Sequence, residues 1–111
     1  MHNRKVYISG EIVPEIEAKI SIFDSAVLLG DTVTESTRTF NHVPFKLDDH
    51  LERLYKSFKL TRIDPQMTIE EMKKVSLDLL EINKDEYKAN EDCWLVHNIS
   101  RGHSITGGNP A

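Results

Sequence analysis

Three arginines stand where a guanidinium could hold an anion: Arg53, Arg38 and Arg101. At about 100° per helical residue, Arg53 falls opposite an apolar stripe of Leu51, Leu54, Tyr55 and Phe58, so periodicity exposes it. Spacing alone favours an arginine on a solvated face, pairing with a nearby acid. The alternative is a guanidinium awaiting a phosphate or carboxylate once a second body covers that face. Arg38 sits in a run of threonines, where a long cation must reach an edge or pair with an acid such as Glu35. Arg101 and His103 flank Gly102, two donors side by side that could hold a carboxylate but more often make a solvated turn. The histidines at 2, 42, 50, 97 and 103 show no metal-ligand spacing, and Cys93 has no cysteine partner for zinc. Ser25, Ser36 and Ser57 lack the glycines of a nucleophile elbow, and no Gly-rich phosphate loop ends in lysine.

The elements that must position these residues run strands first, helices in the middle and a strand late. Residues 6–8 and 11–13 are β-branched runs about Ser9-Gly10, and residues 18–23 read as a further extended run. Gly30 closes residues 24–29, where the backbone can make an excursion that a Cβ would resist. Residues 33–40 suit a pleated strand, turned at Asn41-His42 toward 43–47, and Pro44 assigns that return strand to an edge or bulge. Asp49 and Glu52 have capping-box spacing at the start of one amphipathic helix, which must end before Pro65. Thr68 and Glu71 repeat the spacing before a second stripe of Ile69, Met72, Val75 and Leu79. Residues 83–92 form a polar surface connection, 93–100 a strand, and the tail after it a loop. The expectation is an α+β fold, a small domain with a mostly antiparallel sheet covered by two amphipathic helices.

Composition excludes several classes. The 111 residues make one small domain, 1–111, burying on folding about two thirds of the extended-chain surface. With 39% hydrophobic and 29% charged residues the chain is too apolar for disorder. A net charge of −4 offers no basic footprint for nucleic acid or an anionic membrane. One cysteine cannot make an internal disulfide, and neither a signal-peptide core nor an 18-residue apolar run is present, so a cytoplasmic location is expected.

Read as ordered motifs, VYISGEIVP, AKISIFD, LLGDTVTESTRTF, PFKLDDHLERL and GGNP resemble the N-terminal small domain of the fold-type IV pyridoxal-phosphate enzymes. These are the branched-chain aminotransferases, D-amino-acid aminotransferases and aminodeoxychorismate lyases, and the resemblance covers nearly the whole chain. It implies that Arg53, in DDHLERL, binds the phosphate of pyridoxal 5'-phosphate, with a large domain covering the polar face. It also implies substrate-facing roles for Leu29 and Thr34, which stand where family members often carry aromatic residues. Losing those rings changes pocket shape and removes a phenolic donor where tyrosine was expected. Arg101 and His103 resemble the Arg-x-His pair with which D-amino-acid enzymes hold the substrate carboxylate, although Arg101-Gly102 equally fits the family's common Arg-Gly strand ending. Gly107 and Gly108 of GGNP resemble the Gly-x-Asn-Pro loop of branched-chain members, whereas WLVHNISRG lacks their Tyr-Ile-Arg-Pro arginine.

In that family the catalytic lysine and the acid that holds the pyridine nitrogen come from the large domain, and none of the nine lysines here matches the catalytic one. The expectation is therefore part of an aminotransferase, homodimeric when complete, that moves amino groups between an amino acid and a 2-oxo acid but is inactive without its large domain. A non-catalytic binding or dimerisation domain stands as the alternative, with a lyase as a variant within the enzyme class.

Overall fold

The computed structural model describes residues 3–102. Strands β1 (Lys5–Ile8) and β2 (Glu11–Pro14) form an antiparallel hairpin in register from Lys5 opposite Pro14 to Ile8 opposite Glu11. Ser9 and Gly10 turn it with φ of 50° and 91°, the positive values that match a tight turn to the strand twist. A single 3-10 turn, Glu15–Glu17, follows.

The expected strand over 18–23 does not form. Residues 18–21 are irregular and 22–23 are a turn, with Ile20, Ile22 and Phe23 all exposed. β-branched composition needs a neighbouring ladder to become a strand, and none lies beside this run. The chain instead enters α1 (Ser25–Leu29), where the Asp24 carboxylate accepts from the Ala26 amide at 2.9 Å. Gly30 ends it in the left-handed region at φ 65°, its amide donating to the Ala26 carbonyl.

β3 (Thr32–Phe40) pairs antiparallel with β5 (Trp94–Ser100), from Thr32 opposite Ser100 to Arg38 opposite Trp94. On its other edge lies β4 (Val43–Pro44), reached through Asn41 and His42 at φ 50° and 65°. Pro44 thus sits on an edge strand, as its missing donor requires. The described residues form two antiparallel sheets, β1-β2 and β4-β3-β5, where the sequence suggested one.

Helix α2 (Leu47–Thr61) starts two residues before the expected cap. Asp49 therefore lies in the first turn beside Asp48, favourably placed at the positive end of the helix dipole, while Lys46 at the cap is left-handed with no side-chain bond. The capping box expected from Asp49 and Glu52 is thereby corrected. The reason is packing: Leu47, Leu51, Leu54 and Phe58 are the buried face of α2, and helix geometry must begin at Leu47 to include it. Arg62, left-handed at φ 58°, stops the helix ahead of Pro65. Helix α3 (Ile69–Asn83) begins as expected, with Thr68 Oγ1 accepting from the Glu71 amide at 3.1 Å and Glu71 accepting from the Thr68 amide at 2.9 Å.

The core joins the α2 face to Met72 of α3, Val33 of β3, Leu95 of β5 and Ile63 of the connecting loop. The β1-β2 hairpin is tied on from the side, where the Asn83 side chain accepts from the Lys5 amide at 2.7 Å and donates to the Lys5 carbonyl at 3.0 Å.

Candidate functional site

Strand β3 alternates strictly, with Val33, Glu35, Thr37 and Thr39 facing the helices and Thr32, Thr34, Ser36, Arg38 and Phe40 facing away. The inward face thus carries a carboxylate, Glu35, only 7% exposed. A buried acid needs a countercharge, and α2 supplies it. His50 and Arg53 stand three residues apart on one side of that helix, a spacing that brings both over Glu35. Arg53 Nε donates to Glu35 Oε2 at 2.9 Å and Arg53 Nη2 to Oε1, a two-pronged grip on the carboxylate.

The His50 ring has its tautomer set by the same acid. His50 Nδ1 lies 2.8 Å from Glu35 Oε1, and a carboxylate only accepts, so Nδ1 carries the proton. Its 3.2 Å approach to Arg53 Nη2 is then a contact between two donors aimed at one oxygen. The Arg53 hydrogen bonds, aided by His50 and opposed by burial, pull the Glu35 carboxyl down to about 2. Glu35 in turn raises Arg53 above its ordinary value, so both charges persist at any ordinary pH. The Arg53 side chain remains 66% exposed, and among the described residues its Nη1 has no hydrogen-bond partner. An always-charged donor edge facing outward suits an oxyanion such as a phosphate.

Behind the carboxylate stands His97, opposite Glu35 in the β3–β5 register and 7% exposed. Ser76 Oγ donates to the Met72 carbonyl at 2.7 Å, so at 2.8 Å it accepts from His97 Nε2. His97 Nδ1 is left buried without a partner. Burial, countered by Glu35 and aided by the neighbouring His50, lowers the His97 pKa and favours the neutral ring.

The other sequence candidates lie apart from this cluster. Thr34 is on the opposite face of β3 from Glu35, its hydroxyl donating to Asn98 Oδ1 at 2.8 Å. Leu29 ends α1 and is 75% exposed. Arg101 is engaged through all three nitrogens: Nε to Asp31 at 2.7 Å, Nη1 to the Arg62 carbonyl at 2.9 Å, and Nη2 to the Thr61 carbonyl at 2.8 Å. It ties the carbonyl end of α2 to the start of β3. His103, Gly107 and Gly108 lie outside the described residues. Arg38 does not reach Glu35, which faces the other way; it stacks 3.9 Å over the Phe40 ring and approaches Asp92 at 4.0 Å.

Sequence reasoning passed over Glu35 and His50 as site residues. Their signal was present: an acid at an inward strand position, and a histidine one turn before an arginine. Among the described residues no group of three or more His, Cys, Asp or Glu could hold a metal ion, and no helix is long and apolar enough to cross a membrane.

The Amino-transferase class IV family profile matches residues 32–108, and the chain belongs to that family. It forms an N-terminal fold-type IV aminotransferase domain, as the motifs suggested. Over 85 residues it is 44% identical to a putative branched-chain-amino-acid aminotransferase of Methanocaldococcus jannaschii, covering 75% of this chain and 30% of that protein. It is 34% identical to a D-alanine aminotransferase of Staphylococcus haemolyticus, covering 71% of this chain and 28% of the relative. Among solved structures, the branched-chain aminotransferase of Thermoproteus uzoniensis with norvaline superposes at TM-score 0.73 and 30% identity, over 84% of this chain and 31% of that one. The T.th. branched-chain amino acid aminotransferase complexed with N-(5'-phosphopyridoxyl)-L-glutamate superposes at 0.82 and 25%, over 97% and 36%. The chain thus spans about a third or less of the length of these proteins.

Proposed function

We propose that this chain is the cofactor-phosphate-binding part of a pyridoxal-phosphate-dependent aminotransferase that passes amino groups between an amino acid, branched-chain in type, and a 2-oxo acid. The observation that carries the reading is Arg53: held by one edge on Glu35 and open along the other, within the segment that matches the family. The identity with branched-chain relatives supports the substrate class. When bound, the cofactor supplies an electron sink at the substrate's α-carbon. This chain's share is to fix the phosphate through Arg53 and to line the substrate side with Leu29 and Thr34. A large domain contributes the lysine and the pyridine partner, and the complete enzyme is a homodimer in the cytoplasm.

The 111 residues alone are expected not to transaminate. Reduction with borohydride in the presence of pyridoxal phosphate should leave no single lysine stoichiometrically labelled, and L-leucine with a 2-oxo acid should give no transfer. Co-expression with the large-domain segment of the Methanocaldococcus relative should restore transfer, and Arg53→Ala in that pair should weaken pyridoxal phosphate about tenfold or more, as loss of a charge-assisted contact does. Stoichiometric labelling with turnover by the chain alone would sink the reading.

A further inference from the structure

Arg53 is a long side chain, two-thirds exposed, on the outer side of a helix, where a guanidinium ordinarily samples many rotamers. Here Nε and Nη2 are spent on one buried carboxylate, and that carboxylate is itself fixed by His50 Nδ1. Both Nη1 N–H groups and the second N–H of Nη2 remain, at the outer end, for a ligand. We infer that Glu35 and His50 are positioning residues: they hold the Arg53 guanidinium in one orientation, Nη1 edge outward, so that it meets a phosphate-type oxyanion without losing freedom on binding. The inference rests on the reading of Arg53 as the phosphate ligand.

Two opposed effects of Glu35 make the inference decidable. As a negative charge near the ligand it repels an anion, so removing it should tighten binding. As a clamp it pre-organises the guanidinium, so removing it should weaken binding. The geometry favours the clamp. The carboxylate lies against the Nε and Nη2 edge, with the guanidinium's own charge between it and the Nη1 side, which screens the repulsion. A guanidinium released from Glu35 would also meet Asp49, one turn back at the spacing where helical acids and arginines pair.

The experiment is NMR on the 111-residue chain labelled with nitrogen-15, reading the Arg53 Nε–H signal, assigned by its loss in Arg53→Met. Inorganic phosphate, pyridoxal 5'-phosphate and pyridoxal are titrated separately. In the unsubstituted chain the signal should exchange slowly with water and should shift with the two phosphates but not with pyridoxal. A response to pyridoxal 5'-phosphate alone, with none to inorganic phosphate, would mean the aromatic ring rather than the oxyanion is sensed, and would overturn the inference.

Glu35→Gln keeps the shape but loses the two-pronged grip. It should speed the exchange and weaken phosphate binding about tenfold, with Glu35→Asp recovering part of the loss. His50→Ala removes a half-buried ring without emptying the core, so it serves should Glu35→Gln fail to fold. It should weaken binding about two- to threefold and speed the exchange, in line with loss of one supporting hydrogen bond. Equal or tighter phosphate binding in Glu35→Gln, or in His50→Ala where the first does not fold, overturns the positioning role while leaving Arg53 as the ligand. Phosphate binding unchanged in Arg53→Met overturns both.

Discussion

His97 has one ring nitrogen served and one bare, and that inequality sets how the domain responds to acid. Its Nε2 proton goes to Ser76, Nδ1 has no partner, and burial holds its pKa below the ordinary 6.5. The groups facing it are Glu35 on β3, His50 on α2 and Ser76 on α3. An unfolded chain therefore takes up a proton near pH 6.5 that the folded ring still refuses. Stability must fall as pH drops through that value, at up to about 1.4 kcal/mol per pH unit for one proton. Urea midpoints measured from pH 7.5 to 5.5 should fall, and His97→Leu should flatten the fall; an unaltered slope in the variant would refute the account. Glu35 acts in a different window. Its depressed value means that its contribution is complete above the ordinary 4.5 and is lost only as pH drops from there toward about 2. At this scale the exposure of Arg53 was legible from its place on the helical wheel. Its partner was not, because periodicity says which face a residue takes and never which side chain of another element stands opposite.

Among the elements, one cap was readable and the other was not. Thr68 and Glu71 form both bonds of a capping box, because the irregular chain before Ile69 leaves Thr68 free to adopt the extended cap geometry. At α2 the same spacing misled, since burying Leu47 pulled the helix start upstream of Asp49. Thr68→Ala should therefore cost about 1 kcal/mol in chemical denaturation, whereas Asp49→Ala, which loses only an exposed dipole interaction, should cost less, about 0.3 kcal/mol. Equal losses in the two variants would contradict the assignment. The run over 18–23 failed for the converse reason: its composition suits a strand, but pairing is a property of neighbours, and its apolar side chains stay exposed.

Across the described residues two sheets are held to one helical layer, and the weak and strong joints can be told apart. Leu54, fully buried at the centre of the core, is the strong one. Leu54→Ala should cost about 2–5 kcal/mol, a large share of the 5–15 kcal/mol typical of a domain. The hairpin is held through Asn83, whose side chain pairs with both backbone groups of Lys5 as a strand would. Asn83→Ala should cost about 1–2 kcal/mol, and the Lys5 amide should lose hydrogen-exchange protection while Leu51 keeps most of its own. Uniform loss across both amides would mean that the hairpin is not a separate unit.

The sequence by itself determined the α+β class, the hairpin turns, the Thr68 cap, the two amphipathic helices and the motifs that place Arg53 on an outer helical face. Each of these rests on local spacing or local backbone preference, which a linear chain carries in full. Only the tertiary structure decided that the described strands form two sheets, that α2 begins at Leu47, that Arg101 is spent on Asp31 and the end of α2, and that Glu35 and His50 stand behind Arg53. Those outcomes depend on which surfaces meet. A buried carboxylate and its guanidinium find each other across 18 positions of chain because β3 and α2 share one core.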